Sequence, residues 1–115
     1  MTRTDEVSGK GNVASGNWPY ARLIEDAPVS AHYGQAFARN LAEAMETSET
    51  GLRALGDKAG VPHATISRLL RGMVLPDLGT LARLEVALGT SLWPGLTAWT
   101  EREHGLSSRN TEPLP

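Results

Sequence analysis

No cysteine occurs among the 115 residues, so disulfides, thiolate nucleophiles and thiolate metal ligands are all closed to this chain. Aromatic side chains are scarce: three tryptophans, two tyrosines and one phenylalanine. A core built from the 40% of apolar residues must therefore be largely aliphatic and alanine-based. No apolar run reaches the ~18 residues that a membrane-spanning helix needs. Residues 1–17 are polar and rich in Gly and Ser, without the apolar stretch of a secretory signal, so a cytoplasmic location is expected. No glycine cluster is followed by Gly-Lys-Ser/Thr, which excludes the common phosphate loop. His32, His63 and His104 are too far apart to suggest a metal site, and Ser67 has no nucleophile signature around it. Nothing here asks for an enzyme, a metal or a cofactor.

Surplus positive charge is also lacking. The formal net charge is −2 and the isoelectric point about 5.9. The distribution matters more than the sum, because a local basic face on an acidic body can still meet phosphate. Residues 62–73 contain Arg68 and Arg71 and no acid, and Lys58 lies just before them. The acids gather elsewhere, at Glu43, Glu46 and Glu49 and again at Glu101 and Glu103.

What is present is helical periodicity. No stretch alternates with period two, and turn signals fall at helix-length intervals, so an all-α fold of five helices is expected. The first runs from a Ser30 cap to about Glu46, with Phe37, Leu41 and Met45 on one face. After a loop at 47–51, the second spans 52–59 and stops at Gly60. The third spans 62–71, with Pro62 in its first turn and Gly72 after its end. Asp77 caps the fourth, whose stripe is Leu78, Leu81, Leu84 and Leu88, and Gly89 closes it. Ser91 caps the fifth, with Pro94 in its first turn, a stripe of Leu92, Leu96 and Trp99, and Gly105 as its stop. The compact domain is thus 31–105. Residues 1–17 and 106–115 read as disordered tails. The segment 18–30 is too apolar for a tail, with Trp18, Tyr20, Leu23, Ile24 and Val29, and reads as an extension packed on the domain or on a second subunit.

The chemistry concentrates in 52–71. Two helices joined through Gly60-Val61 must cross steeply, and that crossing imposes a pattern. The turn needs a positive φ, supplied by Gly60. The point of closest approach needs a small residue, supplied by Gly56. Leu55, Ala59, Val61, Ile66 and Leu69 supply the apolar contacts in register. The run Leu55-Gly56-Asp57-Lys58-Ala59-Gly60-Val61, then Thr65-Ile66-Ser67-Arg68, Arg71-Gly72, Pro76 and Leu88-Gly89, resembles the Xre family of lambda-repressor-like helix-turn-helix regulators. The resemblance covers about residues 37–96.

That resemblance implies that the helix 62–71 enters the major groove of double-stranded DNA as a homodimer on an inverted repeat. It implies base contacts from His63, Ala64 and Arg68, and phosphate contacts from Thr65, Ser67 and Arg71. Arg53 and Lys58 are further phosphate candidates. Arg68 suits guanine, whose O6 and N7 accept a guanidinium fork. The chain departs from the family pattern at Leu52, where glutamine is usual. It departs again at Met45 and Leu70, which replace an Arg–Glu pair by two apolar residues. A different reading is that of an antitoxin or adaptor holding a protein partner through its flanking segments.

Overall fold

The computed structural model describes residues 10–104. The expected tail 106–115, the helix stop at Gly105 and residues 1–9 lie outside them. Five helices follow one another: α1 (Val29–Ser48), α2 (Leu52–Ala59), α3 (His63–Leu70), α4 (Leu78–Leu88) and α5 (Thr97–His104). Ahead of them come a single 3-10 turn (Lys10–Asn12) and two strands, β1 (Val13–Ser15) and β2 (Arg22–Leu23).

The five helices bear out the all-α expectation; the short two-stranded sheet is an addition to it, and β1 lies within the stretch 1–17 read as a tail. They pair antiparallel, Val13 opposite Leu23 and Ser15 opposite Arg22, with a bulge between. Elements of three and two residues are too short to display the period of two from which a strand is read. The hairpin turns through Gly16, at φ +85°, and through a bond from Tyr20 N–H to Asn17 O of 2.9 Å.

Helix α1 begins at Val29, so its N-cap is Pro28 and Ser30 lies inside the first turn. The Pro28 carbonyl takes the Ala31 N–H at 2.9 Å, and proline's fixed φ suits the entry to a helix. The helix runs two residues past Glu46 and ends at Glu49, held left-handed at φ 56°. Alanines on α1 (Ala31, Ala36, Ala38) are buried and let neighbouring segments approach closely. A Cβ on Gly34 would lie 2.7 Å from Leu75 Cδ2.

Six large side chains are almost wholly enclosed: Leu41, Leu55, Ile66, Leu69, Leu84 and Leu92. They come from α1, α2, α3, α4 and the segment after α4, which makes one core common to all of them. Phe37 is part of that core and Met45 packs against it, as the spacing of α1 leads one to expect. Met45 and Leu70, the apolar replacements for an ion pair, both pack against this same core. A smaller cluster of Leu23, Ala27 and Ala31, flanked by Val13 and Trp18, fastens the N-terminal extension to α1.

The fifth helix departs most from expectation. Residues 91–96 are irregular, and the helix starts only at Thr97. The reason is Glu85, whose carboxylate accepts the N–H of Leu92 at 2.8 Å and of Trp93 at 3.0 Å. Asn40 Nδ2 donates to Leu92 O at 3.0 Å, so the backbone there is satisfied without a helix. Leu92 then plugs the core while Leu96 remains 66% exposed, and the expected stripe is broken. Trp99 sits edge-on to His32, ring centroids 5.4 Å apart.

Asp77 does cap α4: its Oδ1 accepts the Thr80 N–H at 2.7 Å. That bond holds the carboxyl below the usual aspartate range, with Arg83 adding a smaller pull in the same direction. A depressed folded pKa means stability that is present above the unfolded value and lost as the pH falls through the folded one. Asp77→Ala should therefore lower the Tm at neutral pH. The gap from the parent should close on acidification below about pH 4. Circular-dichroism melts across that range check it, and a gap that persists at low pH contradicts it.

Candidate nucleic-acid interface

The pair α2 and α3 is set by its two glycines. Gly60 is left-handed at φ 71°, and its N–H returns to Gly56 O at 2.9 Å, with Val61 N–H on the same carbonyl at 3.1 Å. A Cβ on Gly56 would lie 2.8 Å from Val61 O and 3.4 Å from His63 N. Those are backbone atoms that cannot step aside alone, so a side chain at 56 would push the start of α3 away from α2. Leu55, Ala59, Val61, Ile66 and Leu69 are all buried, and the five apolar positions of the motif are filled as its register requires.

Burial on α3 decides which face is free. Ile66 and Leu69 define the inward stripe. At about 100° per residue, Ala64, Ser67, Arg68 and Arg71 lie opposite it. Of these, Ala64, Arg68 and Arg71 are exposed and Ser67 is half-buried. His63 is exposed at the first position of the helix, and Thr65 is half-buried on its flank. Pro62 is the N-cap rather than the first helical residue, and its carbonyl takes the N–H groups of Thr65 and Ile66 at 2.9 and 3.2 Å. Arg71 Nε donates to Ser67 O at 3.3 Å, which lays that side chain back along the ridge.

The structure separates the two remaining cations of the motif. Arg53 is exposed and lies about 60° round α2 from Gly56, on the flank that adjoins the start of α3. Lys58 lies about 160° from Gly56 on the same helix wheel. It lines a shallow groove with Ala82, Arg83 and Val86 of α4. Lys58 is thus set apart from the ridge, while Arg53 is brought towards it.

One contact near this face is not readable from the motif. Trp18, from the extension, donates its Nε1–H to Leu70 O at 2.8 Å. Its ring covers Gly72, where a Cβ would fall 2.4 Å from the indole. The only hint in the sequence is an aromatic residue beside a proline in a segment too apolar to be a tail.

Among the described residues no cluster of His, Asp and Glu could hold a metal ion, and no helix is long and apolar enough to cross a membrane. The comparison with curated proteins gave no match. The helix-turn-helix family model matches residues 41–92, from the middle of α1 to the core residue Leu92. That span contains both helices of the motif and all six of the most deeply enclosed side chains. Over residues 41–92 the chain is thus similar to the helix-turn-helix family.

Proposed function

We propose that the protein is a transcriptional repressor that binds an inverted-repeat operator as a homodimer, α3 lying in the major groove of each half-site. The observation that supports this best is the ridge of α3: polar and basic residues face outward, directly opposite a fully buried apolar stripe. His63, Ala64 and Arg68 read base edges. Arg68 forks onto a guanine and Ala64 touches a thymine methyl. Thr65, Ser67, Arg71 and Arg53 meet phosphates and fix the register. Lys58 has no part in this, being turned to the α4 groove. Glu43 and Glu46, exposed on α1, make that part of the surface repellent to DNA, which disfavours docking through it.

One such helix spans only a few base pairs, so two-fold symmetry is the natural route to a longer site. Trp93 and Leu96, 56% and 66% exposed and close in sequence, are the apolar surface on which the dimer is built. The extension is a poorer candidate, because Trp18 and Leu23 are packed on their own domain. The same fact weighs against an adaptor that offers its flanking segments to a partner. The working site of such a repressor is the nucleoid in the cytoplasm.

Selection from a randomised duplex pool at two salt concentrations tests the proposal. The expected result is a palindromic consensus, half-sites about one helical turn apart, with affinity falling steeply as salt rises. Absence of any enriched sequence at low salt would refute sequence-specific binding. An enriched single half-site, bound by a monomer, would refute the dimer alone.

A further inference from the structure

The carboxyl end of a helix leaves its last four carbonyls without partners inside the helix. In α3 those are the carbonyls of residues 67–70, and each is engaged. Ser67 O takes the Arg71 N–H at 3.0 Å, Arg68 O the Met73 N–H at 3.0 Å and Leu69 O the Gly72 N–H at 3.1 Å. These three bonds are local, made by the turn that Gly72 closes at φ 73°. The fourth comes from far away in sequence: Leu70 O takes the indole N–H of Trp18. The same ring covers Gly72, so any side chain at 72 would expel it.

A helix of eight residues is too short to hold its last turn by its own bonds. Arg71 follows at once, and its Nε rests on Ser67 O of that turn. We infer that Trp18 is a positioning residue for DNA binding, and that it acts by fixing the end of α3 from which Arg71 projects. This rests on the reading of α3 as the helix that enters DNA.

The extension is built to carry that role. Gln35, buried on α1, donates Nε2–H to Ala21 O, and Tyr20 donates its hydroxyl to Glu43 at 2.9 Å. Leu23 and Ala27 are buried against Ala31. The strap is thus tied to α1 on one side of Trp18 and presents the ring to α3. It lies wholly outside the span 41–92 that the family model matches, so the support is an addition of this chain to the shared domain.

Trp18→Phe keeps a ring over Gly72 and deletes the donor to Leu70 O. In the full-length chain it should weaken binding to the selected duplex about 3- to 10-fold, the scale of one net hydrogen bond. Leu78→Ala, exposed on α4 and outside both the strap and α3, should leave affinity unchanged. The decisive variant is Trp18→Phe combined with Arg71→Ala. If Trp18 acts through Arg71, the pair costs little more than Arg71→Ala alone. Unchanged affinity for Trp18→Phe, or losses that simply multiply, would overturn the inference. Amide hydrogen exchange at Gly72 and Met73 reads the cap without DNA and should accelerate in Trp18→Phe. Unaltered exchange there would remove the capping role. Failure of the parent chain to select any sequence would instead fault the DNA reading.

Discussion

Arg68→Ala is expected to raise the dissociation constant for the selected operator about 5- to 150-fold, the equivalent of the 1–3 kcal/mol carried by one bidentate guanine contact. The loss should be uneven. Duplexes altered at the base pair that Arg68 reads should be bound almost equally by parent and variant, because the discrimination there has gone. Arg71→Ala should act differently. A phosphate contact carries no sequence information, so every duplex should weaken together and the salt dependence should become shallower by about one unit. Fluorescence anisotropy on the operator and its single-base variants separates the two patterns. Matching, sequence-blind losses for both variants would mean that Arg68 is not a base reader. Both side chains are exposed on a helix whose packing face is elsewhere, so neither change should disturb the fold.

The largest effect on stability is expected at Leu84. It is completely buried in the shared core, and truncation to alanine removes three carbons and leaves a cavity among Leu neighbours. Such changes cost about 2–5 kcal/mol. A domain of this size holds roughly 5–15 kcal/mol in total, so Leu84→Ala sacrifices a large share of it. At about 4–8 °C per kcal/mol, the Tm should fall by at least about 8 °C. Leu78 is six positions earlier on the same helix yet 77% exposed, and Leu78→Ala should stay within about 0.5 kcal/mol of the parent. Urea or thermal unfolding followed at 222 nm compares them. A comparable cost at Leu78 would show that something covers that side chain in solution.

Leu78 and Leu84 also show where the sequence could be read and where it could not. From spacing alone they belong to one stripe, and both were expected inside. Leu78 is the first residue after the Asp77 cap, where the helix has barely reached the core, and periodicity carries no information about how far a core extends. The motif of α2 and α3 was legible because a steep crossing over a two-residue turn permits so few residues at 56 and 60. Leu92 was legible as buried but not as part of an irregular segment. That depended on Glu85 and Asn40, seven residues and 52 residues away, reaching its backbone. The hairpin was missed because its strands are held by one bulged register and by contacts to α1, not by any alternation of their own. For the site, the resemblance named the α3 residues, and their outward position followed from the inward pair Ile66 and Leu69 by subtraction. Lys58 did not: nearness in sequence put it beside Arg68, whereas the wheel of α2 turns it towards α4. Trp18 lay beyond any local rule, because its partner is 52 residues away.

Glu85 has one more consequence. By gripping the amides of Leu92 and Trp93, with Leu92 sunk in the core, it ties the backbone that carries Trp93, three residues before Leu96, to the body of the domain. The proposed dimer, joined through those residues, would act as a caliper that holds its two α3 helices at one separation and one phase. Insertion of a single base pair between half-sites turns one of them by about 34–36° around the duplex axis, given 10–10.5 base pairs per turn. A flexible linker would absorb that rotation; this one has nowhere to put it. On the proposed reading, operator spacing would be set by a carboxylate and two backbone amides, far from the residues proposed to touch bases.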